Sequence, residues 1–205
     1  MSARTLEACL AAAREEGDRL ERQVFARQNV SSLDFSDLTC KQTEFRALRF
    51  TACDFDGAAF YDCQFSGCAF SACRFPRSFW KDCRLSDCKA EGSDFRRSRF
   101  KDCTLSGMHL RYGNFTASLW ERCSLADCGF RESTFQEAKL SKTVLEKVDL
   151  TQAELFRAQL TGLDLSACTL DGIILSASCR ELRGTKINAG QAAVVARILG
   201  IEVLP

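Results

Sequence analysis

Thirteen cysteines and one histidine are the residues of this 205-residue chain whose types first suggest chemistry. Cys63, Cys68, Cys73, Cys83 and Cys88 are dense enough to raise the question of a metal site. Structural zinc, however, takes four ligands that converge from tight C-x2–4-C pairs, and these cysteines stand five or ten residues apart. Cys68 and Cys88 recur at a spacing of twenty, as do Cys63, Cys83, Cys103 and Cys123, with no histidine among them. They read as buried small hydrophobes. A stacked disulfide is the weaker alternative, because the thiols are expected to be reduced in a chain without a secretory h-region. His109 sits directly before Leu110 at a position expected to face solvent, and reads as a solvated side chain rather than a ligand. No Walker-type glycine loop, nucleophile elbow or paired His/carboxylate arrangement is present. The expectation is a protein that is not an enzyme and uses no metal or cofactor.

The elements that hold these cysteines emerge from the repeat. From Phe35 onward every fifth residue is apolar: Phe35, Cys40, Phe45, Phe50, Phe55, Phe60 and so on in unbroken steps to Leu175, with Cys40 and Ala90 the only members that are not Phe, Trp or Leu. A helix of 3.6 residues per turn cannot keep a spacing of five on one face, and a flat strand of period two would turn alternate members outward. A period of five fits a chain that turns a corner each time, so that every fifth side chain points to a common axis. Two residues before each member runs a second, small column, Cys53, Ala58, Cys63, Cys68, Cys73, Ser78, Cys83, which holds most of the cysteines. Residues between are polar or small, as in Asp54, Asp56, Gly57 and Arg84, Ser86, Asp87.

This small–polar–large apolar–polar–polar unit resembles the A(D/N)LXX repeat of the pentapeptide-repeat proteins over about 145 residues, with Cys often in place of Ala. The resemblance implies an all-β chain folded as a right-handed quadrilateral β-helix, with four pentapeptides per coil and side chains stacked every twenty residues. Consecutive cysteines would then lie on different faces. Phe35, Phe55, Phe75, Phe95, Phe115 and Phe135 would form one ladder, and Cys40, Phe60, Trp80, Phe100 and Trp120 another. With coils ~4.8 Å apart, about seven of them would make a rod roughly 35 Å long, whose ends need caps.

Leu6, Cys9, Leu10 and Ala13 recur at helical spacing and predict a short amphipathic helix over 3–16, stopped by Gly17. Leu20, Phe25 and Val30 keep the five-residue phase without small inward partners, so the first coil is expected to be irregular. Beyond Leu175 the repeat fails; Val194, Val195, Ile198 and Leu199 share a helical face, Gly200 ends it, and 201–204 is a strand candidate. The expected organisation is an N-terminal capping helix (1–17), a pentapeptide-repeat solenoid (18–182) and a C-terminal helix-strand module (183–205). The stretch from Gln191 to Val203 resembles the ending of pentapeptide proteins that protect DNA gyrase, the Qnr quinolone-resistance proteins and the microcin-immunity protein among them. That resemblance implies a homodimer paired end to end, with Val194, Val195, Ile198, Leu199, Ile201 and Val203 as candidate dimerisation residues. The alternative is a tail that merely caps a monomer.

Function then rests on the surface. Net charge is +1, which shows no nucleic-acid footprint, and no apolar run approaches the ~20 residues of a membrane helix. A cytoplasmic protein with a protein partner, without direct nucleic-acid or membrane binding, is expected. One reading, from the resemblance, is protection of DNA gyrase or topoisomerase IV against quinolones or related poisons by occupying or remodelling the DNA-binding region. Mimicry of DNA would require phosphate-like negative charge. Asp34, Asp37, Asp54 and Asp56 cluster, but Arg74, Arg77, Arg96 and Arg97 follow on the same face, while Lys81-Asp82, Lys101-Asp102 and Glu121-Arg122 suggest solvated ion pairs. The other reading is a general interaction scaffold or regulator with an unknown partner, for which outward Tyr61, Phe79, Tyr112, Leu119 and Phe156 mark a contact patch or are scattered surface residues. A continuous negative stripe would favour mimicry, and alternating signs the scaffold.

Overall fold

The chain is described here by a computed structural model over residues 5–204. Many of the pentapeptides contribute a three-residue extended segment whose middle residue is buried and whose neighbours face out, as in β1 (Arg19–Glu21), β2 (Val24–Ala26) and β3 (Asn29–Ser31), and others contribute a single bridged residue. The residue that follows each of these takes a left-handed backbone, with φ of 53° at Arg22, 54° at Arg27 and 53° at Ser32. That conformation turns the chain through the corner and costs an L-residue about 1–2 kcal/mol. The cost is offset locally, because the N–H of each corner residue donates to a carbonyl of the next coil: Arg22 to Lys41, Arg27 to Arg46 and Ser32 to Thr51, at 3.0, 2.9 and 2.9 Å.

Stacking is parallel and in register at twenty residues: Leu20 lies over Cys40, Phe25 over Phe45 and Val30 over Phe50. The result is the expected right-handed quadrilateral β-helix. We number its faces by the order in which the chain meets them. The first face is a seven-stranded sheet running from Arg19–Glu21 to Lys139–Ser141, and the second a seven-stranded sheet from Val24–Ala26 to Val144–Glu146. The third has three strands and continues as single bridges such as Lys89–His109, and the fourth is made of bridges alone, Asp34–Asp54 and Asp54–Arg74 among them.

Inside, the two expected ladders form. Phe35, Phe55, Phe75 and Phe95 stack with centroids 4.6 Å apart, and Phe115 and Phe135 follow at 5.0 and 4.9 Å. Phe60, Trp80, Phe100 and Trp120 stack at 4.1, 5.8 and 4.0 Å. Each Trp indole N–H donates to the serine two residues before it, Ser78 at 2.8 Å and Ser118 at 3.0 Å, which is why these coils carry serine at the small inward position. Past Phe135 leucines replace the rings, and a small apolar cavity of about 20 Å³ opens among Leu140, Leu145, Leu155 and their neighbours.

Helix α1 (Leu6–Glu15) lays Leu6, Cys9, Leu10 and Ala13 over the open first coil. Ala3 and Arg4, where the sequence starts this helix, lie outside the described residues. Gly17, with φ 95°, closes it, and the Asp18 N–H reaches back to the Ala13 carbonyl at 2.7 Å. The first coil is regular, contrary to the expectation, because β1–β3 pair in full register with the coil above. Small partners are not needed there. Gln28 uses its length to accept the Leu6 N–H at 2.8 Å, and the Arg14 guanidinium donates to the Asp34 and Ser36 carbonyls at 3.0 and 2.9 Å, so helix and coil end satisfy each other.

At the other end the ladder outlasts the repeat. Leu165 N–H donates to the Lys186 carbonyl at 2.8 Å, a spacing of twenty-one, and the extra chain is taken up by a 3-10 turn at Arg180–Leu182. Glu181 on that turn is buried and accepts hydrogen bonds from the backbone N–H groups of Arg157 and Ser176, at 2.8 and 3.3 Å, and from the Ser176 hydroxyl at 2.9 Å. Helix α2 (Ala189–Ile198) starts with a reciprocal Asn188–Gln191 cap, and the Gln191 amide also donates to the Leu165 and Cys168 carbonyls at 2.7 and 2.6 Å. Gly200, φ 77°, ends it as expected. Residues 201–204 form no strand, in contrast to the strand candidate there. An extended segment needs a ladder partner, and the Ile201 N–H is spent on the Ala196 carbonyl at 2.9 Å in closing the helix.

Candidate partner-binding surface

The cysteine column turns out to be a backbone device. The thiols of Cys63, Cys83, Cys103 and Cys123 each donate at 3.4 Å to a carbonyl of the preceding coil, those of Cys40, Phe60, Trp80 and Phe100. Ser133 does the same to Leu110 at 2.8 Å. Cys, Ser and Thr therefore exchange freely at this position because each is a small side chain with one donor, a point the reading as small hydrophobes missed. All thirteen cysteines are free thiols and all but Cys179 are buried. Burial pushes the Cys40 and Cys168 thiols up, and Cys128 up to about 11, so these groups stay protonated and inert. Among the described residues no cluster of three His, Cys, Asp or Glu side chains could hold a metal ion. His109 is exposed on the third face. No helix among them is long and apolar enough to cross a membrane.

What remains for recognition is the outer surface, and the structure distributes the candidate residues over several parts of it. Asp34, Asp54 and Asp56 share the fourth face, where they are bound by arginines: Arg77 grips Asp56 through both carboxylate oxygens at 2.8 and 2.7 Å, and Arg74 approaches Asp54 at 3.4 Å and Asp56 at 3.6 Å. Hydrogen bonding from Arg77 holds the Asp56 carboxyl below its usual range. The bridged column of this face reads Asp34, Asp54, Arg74, Asp94, and Asp94 is itself paired to Arg96 at 2.7 Å. Arg74 interrupts the acidic residues, Asn114 and Thr134 follow Asp94, and no continuous negative stripe runs along the column.

Tyr61, Phe79 and Leu119 share the first face, where only Tyr61 and Phe79 touch. Tyr61 and Phe79 meet edge to face with centroids 5.5 Å apart, and the Lys41 ammonium lies 5.7 Å over the Tyr61 ring. Leu119 stands two strands beyond Phe79, across Arg99. The flat of this face also presents Arg19, Lys81, Lys101 and Lys139, against Glu21 and Glu121 as its carboxylates. Tyr112 is separate: it is 52% exposed at a corner of the third face under the Arg111 guanidinium, 4.4 Å away. Phe156 lies on the fourth face beneath Arg157. The aromatic residues are thus one small patch plus isolated members. Of the pairs expected along the first corner, Lys81–Asp82 forms as a long contact of 3.8 Å and Glu121–Arg122 forms, whereas Lys101 and Asp102 pair across coils instead, Asp102 with Arg122 at 2.6 Å and Lys101 with Glu121 at 3.9 Å.

Of the tail residues, Val194, Val195 and Val203 are half-buried against the chain's own end, while Ile198, Leu199 and Ile201 face solvent together with Leu204, at 36, 51, 55 and 75% exposure. Ile174 beside the last coil is exposed too.

Coil, register and corner geometry define a pentapeptide-repeat β-helix, and comparison with known proteins agrees. The chain belongs to the pentapeptide-repeat family: residues 58–128 match the pentapeptide repeat region and 133–172 match eight copies of the pentapeptide repeat. No curated protein matches. Among solved structures it is similar to QnrB1, a plasmid-mediated fluoroquinolone resistance protein (19% identity, 91% of this chain and 99% of that one, TM-score 0.32). It is also similar to HetL, involved in heterocyst differentiation regulation in the cyanobacterium Nostoc (14% identity, 91% and 98%, TM-score 0.30), and to Rfr23 of the cyanobacterium Cyanothece (10% identity, 87% and 97%, TM-score 0.23).

Proposed function

We propose that this chain is a non-enzymatic binding protein whose partner is another protein, engaged along the side of a rod that is itself paired through its tail. The observation that carries the reading is the rod's outer surface. Side chains stand in fixed columns on a scaffold stiffened by coil-to-coil hydrogen bonds, so a partner meets a preorganised surface. On the fourth face, where the acidic residues are concentrated, arginines pair with Asp54, Asp56 and Asp94 and break the run of negative charge, which favours a scaffold over literal imitation of DNA. Pairing is supported by the apolar side chains that the tail leaves exposed, Ile198, Leu199, Ile201 and Leu204, and by the tail's resemblance to proteins that dimerise there. Light scattering on the purified chain tests the pairing: a dimer that Leu199→Asp with Ile201→Asp converts to a folded monomer supports it, and a wild-type monomer at micromolar concentration removes it.

Protection of DNA gyrase or topoisomerase IV is the second reading, and the tail's resemblance favours it. A supercoiling assay with purified gyrase and a fluoroquinolone, titrated with this protein, separates the two. Restored supercoiling or fewer cleaved complexes establishes protection, whereas no effect on either enzyme directs the search for the partner to affinity capture.

A further inference from the structure

The four faces are not equivalent, and the difference points to one of them as the docking site. On the flat of the first face Arg19, Lys41, Lys81, Arg99, Lys101 and Lys139 outnumber Glu21 and Glu121. The other faces mix their signs more evenly or, like the fourth, lean acidic. The first-face cations are also weakly engaged. Arg99 and Lys139 make no ion pair among the described residues, Lys81 and Lys101 have only contacts of 3.8 and 3.9 Å, and Lys41 lies over an aromatic ring. Their charge is therefore available to a partner, unlike that of Arg74 and Arg77 on the fourth face.

Amid these cations sit Tyr61, Phe79 and Leu119. Tyr61 and Phe79 hold each other edge to face, so burying them under a partner would release apolar area at little further cost in side-chain freedom. Aromatic residues and arginine at the centre of a patch, with charge around them, are the composition of protein interfaces. Along one margin runs a corner column with Asp62, Asp82 and Asp102 at its middle, between Arg22 at one end and Arg122 and Lys142 at the other, Asp102 being bound by Arg122. A nucleic-acid backbone lying along the rod would meet Asp62 and Asp82 as repulsion, whereas a protein can present an acidic strip over the lysines and a basic residue at its border.

We propose that the first face is the docking surface for the rod's protein partner, and that the partner meets it with an acidic strip. This rests on the protein-binding reading above and adds which face is used and what chemistry it meets. The same positive face would draw such a partner in at long range and make association fall with ionic strength.

The test uses the full chain and a fluorescent twenty-residue poly-L-glutamate as probe, by anisotropy at low salt and by zero-length carbodiimide coupling with peptide mapping. Coupling is expected at Lys41, Lys81, Lys101 and Lys139, not at Lys89 of the third face or Lys147 of the second. Lys81→Glu with Lys101→Glu should weaken the probe at least about tenfold, the milder Lys81→Gln with Lys101→Gln should weaken it less, and the control Lys89→Glu with Lys147→Glu, of equal charge change, should stay within about twofold. Equal losses in both charge-reversed pairs, coupling spread over all faces, no probe binding, or tighter binding of a twenty-residue oligo-dT would each overturn the proposal. If a protein partner captured by the wild type is retained by Lys81→Glu with Lys101→Glu, the choice of face is wrong while the protein-binding reading stands. If the probe maps to the first face but no protein partner is found, it is the protein-binding reading that is in difficulty.

Discussion

Replacing phenylalanines of the longest ladder by leucine removes ring stacking while keeping the site apolar, and the ladder geometry dictates how such losses combine. Phe75 stacks on Phe55 and Phe95, each 4.6 Å away. At about 0.5–1.5 kcal/mol per aromatic pair, Phe75→Leu removes these two stacked pairs and the edge-to-face pair with Phe70 at 5.3 Å, and should cost about 1.5–4.5 kcal/mol, or roughly 2–4 °C in Tm for each kcal/mol in a chain of this size. Phe95→Leu and Phe115→Leu each remove two stacked pairs as well. The double change at Phe75 and Phe95 removes only three stacked pairs, because the singles count the 75–95 pair twice, so it should fall short of additivity by one pair, about 0.5–1.5 kcal/mol. At Phe75 and Phe115 no stacked pair is shared, and the costs should add within about 0.5 kcal/mol. Urea denaturation followed by circular dichroism and by the fluorescence of Trp80 and Trp120 gives the free energies of the wild type, the three single variants and the two doubles. Equal coupling in both double variants, or none in either, would refute the picture of a ladder whose members couple to one another only across one coil.

Other consequences are open to simpler measurements. A thiol reagent should modify one cysteine quickly in the native protein, the half-buried Cys179, and the other twelve only in denaturant; several fast thiols would mean the corner columns are not closed. Burial works to raise the Glu181 carboxyl, but the hydrogen bonds it accepts from the backbone of Arg157 and Ser176 and from the Ser176 hydroxyl outweigh it and hold it below its ordinary value. Its contribution is therefore complete above the ordinary carboxylate range and lost as pH falls through its lowered folded value. Glu181→Gln should cost about 1.5–3 kcal/mol at pH 7 and flatten the acid limb of a Tm-against-pH curve, and an unchanged limb would dismiss the assignment. Leu155→Phe, beside the small cavity and one coil beyond Phe135, should raise Tm by about 2–4 °C if the ring extends the ladder; a fall would show that the space is too small for it.

The core was legible because its geometry is one-dimensional: once every fifth residue is known to point inward, Phe75 must lie between Phe55 and Phe95. The first coil was not, because the same rule demands small residues where Gln28 stands, and the rule lapses at an open end where a long amide can reach the capping helix. The tail was misread in part for a related reason. Alternation suggested a strand at 201–204, but a strand is a property of two segments, and a single chain offers none beside it. Surface pairing was the least visible. That Arg77 grips Asp56 rather than solvent depends on an offset of twenty-one residues, which becomes contact only after the coil has closed.

Exact repetition of the coil also makes the rod a ruler. Since each residue pairs with the one twenty places on, removing or duplicating a block of twenty residues, such as 81–100, brings every remaining side chain back to its own face and both ends back to their own caps. A block whose length is a multiple of five but not of twenty would rotate one half of the molecule against the other by quarter turns. Genetic gain or loss of whole coils can therefore set the distance between the capping helix and the tail in steps of one strand spacing, ~4.8 Å. The columns that meet a partner keep their facing throughout.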